Sequence, residues 1–92
     1  MFKRFKAFVY LTEGELEGPY GIVIKGLTDA GFDVNLDEPH IKIYGTYEQF
    51  QKIFDADIRK RRRGLKTEYY FEQKPHIPDS LKEWVEEIEL IQ

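Results

Sequence analysis

The apolar residues of this 92-residue chain change period several times along its length, and that alternation restricts it to a mixed fold. Phe5 to Leu11 is rich in aromatic and β-branched residues and reads as a first strand. Phe5, Ala7, Val9 and Leu11 would share one of its faces, with Lys6, Phe8 and Tyr10 on the other. After the polar stretch Thr12 to Gly18, Pro19 suits the first turn of a helix, where its missing N–H leaves no donor unpaired. Tyr20, Val23, Ile24 and Leu27 then recur at helical spacing, and Gly31 is a C-terminal stop. The run Ile22-Val23-Ile24 with Gly21 and Gly26 also suits a strand, but the spacing and the stop favour the helix.

Two short apolar runs follow, Phe32 to Leu36 and His40 to Tyr44, and Asp37-Glu38-Pro39 between them suits a hairpin turn. Thr46 with Gln49 three residues on predicts a capped second helix, with Tyr47, Phe50, Ile53 and Phe54 as its apolar stripe. Beyond Ala56 the pattern changes again. Extended arms on either side of Arg63-Gly64 predict a second hairpin with a basic tip; a longer helix through Arg62 is the alternative. Pro75 and Pro78 bracket a stiff connector. Asp79 or Ser80 then caps an expected last helix, with Leu81, Trp84, Val85, Ile88 and Ile91 as its stripe. The order is β-α-β-β-α-β plus a terminal helix. It predicts one α+β domain over residues 1–92, a ferredoxin-like sandwich with an extra C-terminal helix.

Hydrophobic residues make up 41% of the chain, enough for one core. The net charge of −3 gives no global case for a polyanion or membrane partner. The basic start Met1 to Lys6 is followed by too short an apolar run for a signal peptide, and no segment approaches the length of a membrane span. A cytoplasmic protein without a membrane partner is expected.

Chemistry is hard to build from these residues. With no cysteine, thiol catalysis and thiolate metal sites are excluded. Ser80 is the only serine and is better explained as a helix cap than as a nucleophile. His40 and His76 lack partners at metal-ligand spacing, and no phosphate-cradling glycine motif occurs. No catalytic, metal or cofactor residue is therefore assigned, and the chain is expected to act by binding.

Two local features bear on what it binds. Arg59, Lys60, Arg61, Arg62 and Arg63, within the basic segment 59–66, are suited to phosphate contact with nucleic acid, and Tyr69, Tyr70 and Phe71 nearby are suited to stacking. The structural alternative is a charged hairpin that resists edge-to-edge aggregation and pairs with the acidic last helix. The exposed sheet face, or a strand edge at Thr67, Tyr69, Tyr70 and Phe71, is the expected protein-binding surface. Self-association through the sheet face is a third expectation.

The stretch Gly31-Phe32-Asp33-Val34, then Ile41-Lys42-Ile43-Tyr44-Gly45-Thr46, Phe50, Phe54 and Ile77-Pro78-Asp79-Ser80-Leu81 with Val85 and Ile88, follows a recognisable progression. It resembles the activation propeptide of sedolisin/kumamolisin-type serine proteases over about residues 20–90. That resemblance implies a ferredoxin-like fold and a serine protease as partner. The family continues through a linker into its catalytic domain, whereas this sequence stops at Gln92. A free-standing relative would be a protease inhibitor or folding helper acting in trans, or equally an unrelated small domain on the same scaffold, because fold does not fix function.

Overall fold

The computed structural model describes residues 3–12, 18–37 and 40–91. Among them run β1 (Arg4–Leu11), α1 (Gly18–Asp29), β2 (Asp33–Asp37), β3 (His40–Thr46), α2 (Tyr47–Phe54), β4 (Ile58–Arg63), β5 (Lys66–Phe71) and β6 (Val85–Ile91). Six strands in two antiparallel sheets with two helices make an α+β architecture. The larger sheet has the order β2-β3-β1-β6, and β4 and β5 form a separate ribbon. The expected stretches at Met1-Phe2, Glu13 to Glu17 and Glu38-Pro39, including the turn between β2 and β3, lie outside the described residues.

Alternation in β1 sends Ala7 and Val9 into the core, where they meet Ile41 and Ile43 of β3. Helix α1 adds Val23 and Leu27, both fully buried, and α2 adds Phe50 and Phe54. The stop at Gly31 works as the sequence suggests. Gly31 sits at φ +99, its N–H donates to Thr28 O, and Phe32 N–H donates to Leu27 O. These are the two bonds of a Schellman motif, and Phe32 and Leu27 both enter the core. Gly26, which weakens α1 by propensity, has a packing reason: a Cβ there would lie 3.0 Å from Leu81 Cδ2.

The capping box on α2 is present on both sides. Gln49 N–H donates to Thr46 Oγ1 (3.3 Å), and Thr46 N–H donates to Gln49 Oε1 (2.8 Å). Gln49 Nε2 also donates to Gly31 O (2.9 Å), which ties the start of α2 to the end of α1. Helix α2 stops at Asp55 in the left-handed region (φ 48), a conformation aspartate tolerates better than most residues.

The terminal helix expected from Leu81 to Ile91 is not formed. Residues 79–84 are successive turns, so Asp79 and Ser80 cap no helix, and β6 pairs antiparallel with β1. The reason lies in a β-bulge. Leu11 faces Val85 and Tyr10 faces Glu87, which leaves Glu86 with no opposite residue. The extra residue reverses the alternation, so Val85 and Ile88, three apart, are both buried. Spacing of three is what a helical stripe requires, and the bulge reproduces it in a strand.

Candidate binding surfaces

The β4–β5 ribbon is closed by the two-residue loop Gly64-Leu65. Gly64 has φ +60 while Leu65 keeps a negative φ, the pattern of a type II′ hairpin turn, which glycine favours at its first position. At its base the ribbon is built into the core. Ile58 is buried, Phe71 lies 6.2 Å from Phe50, and Tyr69 meets Phe5 edge-on at 5.1 Å. Lys3 lies 4.0 Å from the centre of the Tyr69 ring. Beyond this base every residue from Arg59 to Thr67 is exposed, and Leu65 at the tip is 98% exposed.

Residues opposite one another in the ribbon share a face. One face carries Arg59, Arg61 and Arg63, the other Lys60 and Arg62. The first three are held inside the ribbon itself. Arg59 contacts Asp57 and Glu72, each at 2.9 Å; Arg61 reaches Glu68 at 3.3 Å and lies over the Tyr70 ring; Arg63 reaches Glu68 at 3.9 Å. Among the described residues Lys60, Arg62 and Lys66 have no carboxylate within ion-pair distance. The pairing expected between the basic run and an acidic last helix is therefore replaced by pairing within the hairpin, because the acidic residues nearest in space are its own Asp57, Glu68 and Glu72.

An acid–base network anchors the root of β4. Tyr47 Oη donates to Asp57 Oδ1, and Glu72 N–H donates to Asp57 O at 2.8 Å. The hydrogen bond from Tyr47, reinforced by Arg59, holds the Asp57 carboxyl below its usual range. The same bond, with burial and the Asp57 charge, pushes the Tyr47 hydroxyl up.

The four residues expected as a protein-binding edge are divided by the structure. Tyr69 and Phe71 are part-buried and turned to the core, whereas Thr67 and Tyr70 are exposed. Among the described residues β5 has no strand hydrogen-bonded on the side away from β4. Leu65 was not singled out by sequence, and a Gly-X loop between two arms is the signal that places it at the tip.

A second surface lies on the larger sheet. Both helices and the base of the ribbon pack on the face that carries Ala7, Val9, Ile41 and Ile43. Among the described residues no helix lies over the opposite face. Across its strands run the rows Asn35, Lys42, Phe8, Glu89 and Asp33, Tyr44, Lys6, Ile91. Phe8 and Tyr10 stand 6.2 Å apart, Lys42 Nζ lies 5.6 Å from the Phe8 ring, and Arg4 lies 5.9 Å from the Tyr44 ring. Tyr10 Oη donates to Glu89 Oε2 at 3.3 Å; burial first, then the Glu89 charge, pushes this hydroxyl up. Phe8, Tyr10 and Tyr44 remain part-exposed.

His76 and Ser80 are both exposed, and no group of three or more metal-ligating side chains occurs among the described residues. No described helix is long and apolar enough to cross a membrane. Comparison with family models, curated proteins and solved structures finds no match to this chain.

Proposed function

We propose that this chain is a non-catalytic protein-binding domain on a ferredoxin-like plan, and that it engages its partner through the open face of the four-stranded sheet. The strand order supports the plan, with β6 in the position of the fourth strand and the β4–β5 ribbon inserted before it. The observation that carries the binding reading is the row of part-exposed aromatics Phe8, Tyr10 and Tyr44 on that face. Aromatic residues are enriched at the cores of protein interfaces, and charges of both signs around them suit a polar rim. Asp33, Glu87 and Glu89 flank the aromatics on both sides, which opposes nucleic acid there and favours a protein.

The resemblance to sedolisin-type propeptides makes a serine protease the partner to test first. The test is titration of a sedolisin-type protease with the wild-type chain and with the double variant Phe8→Asp/Tyr44→Asp. Inhibition, or faster recovery of activity on refolding, is expected from the wild type and not from the variant. Equal effects of the two, with the variant folded by circular dichroism, would remove the sheet face from the reading. No effect from either would remove the protease.

A further inference from the structure

We infer that the β4–β5 ribbon is a second and separate binding element, an arm that docks into the major groove of double-stranded DNA. From Lys60 to Glu68 the chain carries five cations and one carboxylate. Lys60, Arg62 and Lys66 have no ion-pair partner among the described residues, so their charge is available to an external anion. Arg61 and Arg63 share the single carboxylate of Glu68.

The rest of the chain is acidic, and the question is whether it cancels the arm. Three residues of strand separate Lys60 from Arg63, roughly 10 Å at the usual rise. The Debye length at physiological salt is about 8 Å. The tip therefore lies beyond the screening distance of the body, and the molecule is elongated, 43 × 24 × 22 Å. The arm acts as a local polycation on an acidic protein.

The kind of polyanion follows from what the arm lacks. Residues 60–68 contain no aromatic; at the root of the arm Tyr69 is engaged with Phe5 and Lys3, Phe71 packs on Phe50, and the exposed Tyr70 has Arg61 over its ring. Sequence-tolerant single-strand binding depends on successive bases stacking on aromatics, and a single ring already engaged by Arg61 is a poor platform for it. A two-stranded ribbon does fit the major groove of B-form DNA, about 12 Å wide, whereas the major groove of A-form RNA is too deep and narrow for side chains to read. Leu65, fully exposed at the tip between Arg63 and Lys66, then meets an apolar group such as a thymine methyl while the flanking cations reach phosphates.

The test is fluorescence anisotropy of labelled duplex DNA, duplex RNA and single-stranded DNA, titrated with the full chain. Binding to duplex DNA is expected to weaken about a hundredfold between roughly 50 and 200 mM salt, as about four phosphate contacts require. The triple variant Lys60→Ala/Arg62→Ala/Lys66→Ala should weaken binding at least about tenfold and flatten the log–log salt slope by about 3. Leu65→Ala should weaken it with the slope unchanged. The control Lys25→Ala/Lys52→Ala, on the helices, should leave it intact. No binding to duplex DNA at low salt, or equal loss in the control, overturns the inference. So does tighter binding of single strands or duplex RNA. Sedimentation showing that the arm substitutions dissolve a dimer, without DNA binding by the wild type, would assign the arm to a second copy of the chain. None of these outcomes bears on the sheet face, so the two readings stand or fall separately.

Discussion

Gly45 lies against the ring of Phe32 with no room for a side chain: a Cβ there would come 2.6 Å from Cδ1 and Cε1 of Phe32 and 2.7 Å from Gln49 Oε1. Phe32 cannot retreat, because it is itself packed 5.0 Å from Phe50 and 5.7 Å from Phe54. Gly45→Ala should therefore destabilise the protein by about 1–3 kcal/mol, the usual range for overpacking. For a domain of this size, each 1 kcal/mol lowers the melting temperature by about 4–8 °C. A melting temperature equal to wild type would show that Phe32 does not sit on β3 as described.

Gln49 serves two bonds that cross between elements, one closing the capping box and one reaching Gly31 O. Thr46→Ala removes only the cap and should cost about 1 kcal/mol. Gln49→Ala removes both contacts and should cost more than Thr46→Ala. Urea unfolding of the two variants decides this, and the reverse order would mean the Gly31 contact contributes nothing.

Asp57 sets an acid limit on the root of the ribbon. Its folded carboxyl lies below the ordinary value, so its contribution to stability is complete above about pH 4 and is lost as the pH falls through the folded value. Asp57→Asn cannot follow that course. Thermal melts of wild type and variant should differ at pH 7 and converge on acidification below about pH 4. A gap that stays constant with pH would remove the Tyr47–Asp57–Arg59 network as its source.

Most of the chain's organisation could be read directly because local signals and packing agree. Gly31 stops α1 by a bond pattern that needs a positive φ; Thr46 and Gln49 are a complete capping box; the basic ribbon turns at Gly64-Leu65, one residue beyond the expected Arg63-Gly64. The last element could not be read in this way. Trp84, Val85, Ile88 and Ile91 fall at helical spacing, yet the bulge at Glu86 lets a strand bury both Val85 and Ile88, while Ile91 lies on the opposite face beside Lys6. A spacing of three between two buried residues does not identify the backbone that buries them. The sites divide similarly: alternation in β1 placed Phe8 and Tyr10 opposite the core, but only three-dimensional pairing separates Arg59 and Arg61 from Lys60 and Arg62.

The bulge itself can be tested by removing it. Deleting Glu86 leaves Val85 and Ile88 two apart, so both keep facing the core in a regularly alternating strand. The deletion should cost well under the about 1.5–3 kcal/mol of one buried aliphatic side chain. Deletion of Gln73, exposed in the connector, is the reference and should be nearly silent. A loss of about 1.5–3 kcal/mol from deleting Glu86 alone would argue against the register described for β1 and β6.

The central position of β1 also governs when the sheet is completed. Its partners are distant in sequence, with Lys6 opposite Ile91 and Leu11 opposite Val85. Such pairing gives a high contact order, which slows folding because a long loop must close before its contacts stabilise anything. Chains are synthesised at about 5–20 residues per second, so a nascent β1 waits several seconds for its second neighbour. During that interval one of its edges, bordered by Phe8 and Tyr10, is an unpaired template for any other strand. Yield at high expression, more than equilibrium stability, is where substitutions in β6 should first be felt.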